Sequence, residues 1–123
     1  INKLHLAMIE LYKGDAKRIQ HFCKVHSYAK LIAETENVNK KCLFTIEAAA
    51  LTHTNRVQYL IAHHHTYDNI NEIDYQILVE ADFLVNIMED GLSKEAALKA
   101  YHSIFKTTCG KMICREMFDI GVR

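Results

Sequence analysis

The side chains with the most chemical potential in this 123-residue chain are histidines and one aspartate. His53 ends a small-residue stretch, Glu47-Ala48-Ala49-Ala50-Leu51-Thr52-His53. His21 lies upstream, His63-His64-His65 follow, and Asp82 falls within the apolar run Ile77 to Val85. Neutral imidazoles ligate first-row metals, and an added carboxylate gives the mixed nitrogen and oxygen set that suits iron, manganese or zinc. The bland reading of the triple histidine is a solvent-exposed cap on the negative end of a helix dipole. His5, His26 and His102 read as surface residues. Asp82 is different, because a carboxylate on the inner face of so apolar a segment needs a partner. That partner is either a metal or a hydrogen-bonded link to another helix.

The elements that must position these groups read as helices throughout. Proline is absent, glycine occurs only at positions 14, 91, 110 and 121, and no run of alternating β-branched residues suggests a strand. A first helix runs from Asn2 to Lys13 and is closed by Gly14. Asp15 caps a second, about Ala16 to Glu36, with an inner stripe of Ile19, Phe22, Val25, Ala29, Ile32 and Ala33. His21 borders that stripe; His26, five residues on, lies about 140° round the helix, so the two cannot face one point. A third helix spans Lys40 to His53 and a fourth Arg56 to His65, with Tyr67 to Asn71 a polar loop. The fifth, Glu72 to Glu89, is the most apolar; Gly91 ends it, and Ser93 caps a helix from Lys94 to Phe105. Thr107 or Thr108 opens a last amphipathic segment. The reading is one all-α domain over residues 1–123, of about six or seven helices. Val25, Ala29, Ala50, Leu51, Ile61, Leu78 and Phe83 are expected in or near its core.

Composition narrows the partners. Half the residues are hydrophobic, which argues against disorder, and Lys plus Arg equal Asp plus Glu at 15 each. A balanced charge gives no electrostatic case for a nucleic-acid polymer or an anionic membrane as partner. No apolar run approaches the roughly 18 residues of a membrane span, and the first residues lack a signal-peptide pattern, so a cytoplasmic protein is expected. A homodimer is left open. Cys23, Cys42, Cys109 and Cys114 show no CxxC spacing and read as buried thiols rather than a disulfide or zinc framework.

Four stretches, in order, resemble the motifs of the HD-domain metal-dependent phosphohydrolases. His21-Phe22-Cys23-Lys24-Val25-His26-Ser27-Tyr28-Ala29-Lys30-Leu31-Ile32-Ala33 looks like the opening signature, a histidine followed by a basic residue, valine and alanine. Ala49-Ala50-Leu51-Thr52-His53 resembles the second motif, Ile61-Ala62-His63-His64-His65 the paired-histidine motif of some branches, and Glu80-Ala81-Asp82-Phe83-Leu84 the closing aspartate motif. The resemblance covers about residues 15 to 88. It implies that His21, His53 and Asp82 ligate a divalent iron, manganese or zinc ion. It also implies that His64 and His65, with His63 less favoured, hold a second metal or face phosphate. The substrate would be a small phosphorylated metabolite or nucleotide, hydrolysed by metal-activated water. A non-catalytic nucleotide or metal sensor of the same fold, and a plain helical interaction domain, are the rival readings.

The chain departs from the pattern at Thr54, where the family has an aspartate shared with the metal. That substitution should weaken or abolish metal binding. Only nine residues, Thr54 to Ala62, separate His53 from His63, fewer than the family places there. Were Leu43 to His65 one helix, His53 and His64 would stand roughly 16 Å apart along the axis, at about 1.5 Å per residue, too far for one metal centre. Convergence therefore requires a break after His53. The expectation is a gap between the Cα atoms of His53 and Thr54 far beyond the roughly 3.8 Å of a trans peptide. The absent residues would start with the missing aspartate.

Overall fold

A computed structural model describes residues 1–52 and 72–121. They form six α-helices: α1 (Asn2–Leu11), α2 (Ala16–Thr35), α3 (Lys40–Thr52), α4 (Glu72–Glu89), α5 (Lys94–Ser103) and α6 (Thr108–Phe118). Among the described residues there is no strand, and the all-α expectation holds. The fourth helix expected over Arg56 to His65, the core residue Ile61 and the break after His53 all lie outside the described residues.

Helix starts are set by side chains that take up the unpaired amides of the first turn. The Asp15 carboxylate accepts from the Arg18 amide at 3.1 Å, Ser93 Oγ from the Ala96 amide at 3.2 Å, and Thr107 Oγ1 from the Gly110 amide at 2.9 Å. Asn39 Oδ1 does the same for the Cys42 amide at 2.8 Å, before α3. Two helices end earlier than expected. α1 stops at Leu11 because the Tyr12, Lys13 and Asp15 amides turn back onto Met8, Glu10 and Tyr12. α5 stops at Ser103, since the Ile104 and Phe105 amides both reach the Ala100 carbonyl.

The core lies where α2, α3 and α4 pack on one another, with α5 and α6 added along one side. α2 contributes Phe22, Val25, Ala29, Ile32 and Ala33, the expected stripe except for Ile19, which is half-buried. α3 brings Ile46, Ala50 and Leu51, and α4 brings Ile77, Leu78, Ala81, Leu84, Val85 and Ile87. Burying each large side chain of this kind stabilises by about 1.5–3 kcal/mol. Alanines at 29, 33, 50 and 81 keep no exposed surface, which lets the three central helices approach closely. Phe83 departs from expectation: it is half-buried, packed on the edge of the core. Helical phase turns it about 100° from Asp82 and away from the centre of α4's buried face.

Two buried carboxylates interrupt this apolar interior on α4. Glu80 has no exposed surface and accepts four hydrogen bonds: Gln76 Nε2 at 2.6 Å, the Lys106 amide at 2.9 Å, the Thr107 amide at 3.0 Å and the Thr107 hydroxyl at 2.6 Å. It thereby ties α4 to the start of α6, where the positive end of the helix dipole offsets its charge. Gly110 is required there. A Cβ at that position would land on the Glu80 carboxylate and lie 2.7 Å from Thr107 Oγ1. The second buried carboxylate is Asp82.

Candidate metal centre

Asp82 and His21 come from separate helices and meet. His21 is on α2 and Asp82 on α4, and His21 Nε2 stands 3.3 Å from Asp82 Oδ1. Neither stands alone. Asn86, one turn along α4, donates its amide to Asp82 Oδ2 at 2.8 Å, and Glu89 Oε1 lies 2.7 Å from His21 Nδ1. Asp82, Asn86 and Glu89 are spaced i, i+4 and i+7, so they share one stripe of α4 facing α2. The carboxylate inside the apolar run has the partner that its burial demands.

Electrostatics couple His21 to both carboxylates. The hydrogen bond that Asp82 accepts raises the His21 pKa above 6.5, opposed by desolvation and reinforced by the bond and charge of Glu89. The ring lies between two carboxylates of α4 and ties that helix to α2. The donor chemistry also fits a divalent metal. Two ligand atoms held about 2.0–2.2 Å from one tetrahedral ion stand about 3.3–3.6 Å apart, and His21 Nε2 and Asp82 Oδ1 are 3.3 Å apart. The third expected ligand, His53, and the neighbouring His63, His64 and His65 lie outside the described residues. Among the described residues, no group of three or more His, Cys, Asp or Glu side chains is placed to hold a metal ion.

A second cluster corrects the reading of His5 and His26 as surface residues. Both are half-buried. His5 Nε2 lies 3.0 Å from Cys23 Sγ, His26 Nε2 lies 3.0 Å from Glu47 Oε1, and the two rings meet edge-on with centroids 5.1 Å apart. These contacts join α1, α2 and α3; α1 has no fully buried residue, and the rings of His5 and Tyr12 also meet Phe22 of α2. His102 is exposed, as expected. The cysteines are all free. Three are buried; Cys23 is half-buried because its thiol meets His5 at the edge of α1. Burial, with the neighbouring Asp74 carboxylate that accepts from its thiol, pushes Cys42 up to about 12; burial and the Glu80 charge push Cys114 to about 11. Neither is a nucleophile near neutrality.

The two histidine clusters respond oppositely to pH. Burial, then the charge of His26, lowers the His5 pKa below 6.5, so His5 binds its proton less readily folded than unfolded. Its contribution to stability is intact above 6.5 and declines as the pH falls below that value. The raised pKa of His21 does the reverse: its contribution is complete below 6.5 and is lost as the pH climbs through the raised value. Urea denaturation across this range should show a shallower acid-side decline in His5→Gln than in the parent. An identical acid limb in the two proteins would remove His5 from the account.

The chain matches no protein-family model, no curated protein and no solved structure. The sequence singles out His21 and Asp82, which the structure brings together, but not Asn86, Glu89, Glu47 or Glu80. The polar i, i+4, i+7 stripe in an otherwise apolar helix was the available signal for Asn86 and Glu89.

Proposed function

We propose that this chain is an HD-type metal-dependent phosphohydrolase acting on a small phosphorylated metabolite or nucleotide. The observation that carries the reading is the approach of His21 Nε2 to Asp82 Oδ1 from two helices 61 positions apart in sequence (82 − 21). His21, His53 and Asp82 are the proposed ligands of an iron, manganese or zinc ion, and His64 and His65 the groups facing phosphate or a second ion. Such an ion would lower the pKa of bound water and neutralise charge on the phosphoryl oxygens. The protein's own part is orientation. Asn86 holds one oxygen of Asp82 and leaves the other turned toward His21. Glu89 holds Nδ1 of His21, so Nε2 faces the same point. α2 and α4 are packed along their length by apolar side chains, which keeps these atoms in register.

Thr54 favours a second reading, a non-catalytic metal or nucleotide sensor of the same fold, because the family's shared aspartate is absent. Release of phosphate from phosphomonoesters and nucleotides, with manganese or ferrous iron added, separates the two. The phosphohydrolase reading expects metal-dependent turnover, weak in this chain and stronger in Thr54→Asp. Bound nucleotide or metal with no turnover in either protein would favour the sensor. Among the described residues no helix is long and apolar enough to cross a membrane.

A further inference from the structure

Glu89 occupies a position that its own helix disfavours. It is the last residue of α4, at the negative end of the helix dipole, with Asp90 next in sequence and no basic residue in the last turn. A glutamate has no local reason to be ordered there. It is ordered by His21: Glu89 Oε1 lies 2.7 Å from Nδ1, with both side chains about 19% exposed. The Asp82 contact to the same ring is longer, 3.3 Å, and reaches the opposite nitrogen.

We propose that Glu89 is a positioning residue that sets the tautomer and orientation of the His21 imidazole. A carboxylate at this distance accepts the Nδ1 proton, which leaves the lone pair of a neutral ring on Nε2, the atom turned toward Asp82. Ligating histidines commonly give their second nitrogen to such an acceptor, which fixes the ring and raises its basicity. Glu89 thus does for His21 what Asn86 does for Asp82: each engages the atom facing away from the shared point. The inference rests on the reading of His21 as a metal ligand, but the ring's tautomer can be read without any metal.

The experiment uses the full chain, labelled with nitrogen-15, as parent, Glu89→Ala and Glu89→Gln. Long-range proton–nitrogen spectra recorded where the ring is neutral identify which His21 nitrogen carries the proton. Zinc titration by calorimetry then reads affinity. The parent and Glu89→Gln, whose amide oxygen still accepts, should show the Nδ1–H form, and Glu89→Ala should move toward Nε2–H. Zinc affinity should fall by about 10- to 100-fold in Glu89→Ala and by less in Glu89→Gln. Backbone amide spectra away from α4 should coincide in all three, since a neutral residue suits the end of α4 at least as well. An unchanged tautomer in Glu89→Ala overturns the inference, and so does an unchanged zinc affinity. Should the parent bind no zinc, the ligand reading of His21 fails, and the tautomer alone decides what Glu89 does to the ring.

Discussion

Replacing Glu80 by alanine is expected to destabilise the fold by about 3 kcal/mol or more, because several buried donors lose their acceptor at about 1–3 kcal/mol each. The Lys106 and Thr107 amides and the Thr107 hydroxyl converge on this one carboxylate, which has no exposed surface. Glutamine is no rescue, since it turns an amino group toward donors. Gly110→Ala should cause a loss of similar size from the other side of the contact, as its methyl would occupy the space of the carboxylate. Overpacking alone typically costs about 1–3 kcal/mol, and displacing Glu80 adds the unpaired donors. Met112→Ala, on the exposed side of α6, is the control and should change stability by roughly 0.5 kcal/mol or less. Urea midpoints of the three variants check this. A Gly110→Ala protein as stable as the control would mean that Glu80 does not lie against α6.

The second large effect is expected at Asp82. Its hydrogen bond is the first cause of the raised His21 pKa, so Asp82→Asn should bring His21 down toward 6.5, while the contact with Glu89 stays in place. Proton NMR titration of the His21 ring reads that shift directly. The same substitution removes a charged ligand from the proposed metal centre, and any metal-dependent phosphate release should be lost with it. Asn86→Ala, which leaves Asp82 its charge but removes the amide donor from Oδ2, should cost about 10- to 100-fold in metal affinity. A His21 ring that titrates alike in Asp82→Asn and the parent would show that the two side chains do not meet.

Which features are legible in the sequence follows from how local each signal is. Capping is local: Asp15, Ser93 and Thr107 each bond an amide three residues on, so the starts of α2, α5 and α6 were legible. Apolar periodicity is local too, and the bounds of α4 came out as expected, residues 72–89. The demand that Asp82 find a partner was also visible, since an ionised carboxylate in an apolar run is costly unless paired. Glu80, two residues earlier, makes the same demand, but apart from Gln76 one turn back its partners lie 26 and 27 residues on, in a short link that periodicity does not describe. His5 and His26 were misjudged for a related reason. Their partners Cys23 and Glu47 are 18 and 21 residues away on other helices, and neither pattern nor propensity reports which helix faces cross. Glu89 looked like an ordinary helix end. Only its phase with Asp82 marked it.

His21 and Asp82, with His53, are the proposed ligands of one metal site. Manganese titration of the parent chain, His21→Ala and Asp82→Ala, following free manganese by electron paramagnetic resonance, tests it most directly. The account expects one weak site per parent chain, weakened by Thr54 in place of an aspartate, and no such site in either variant. Equal binding by all three proteins, or no binding by the parent at any accessible concentration, would contradict it.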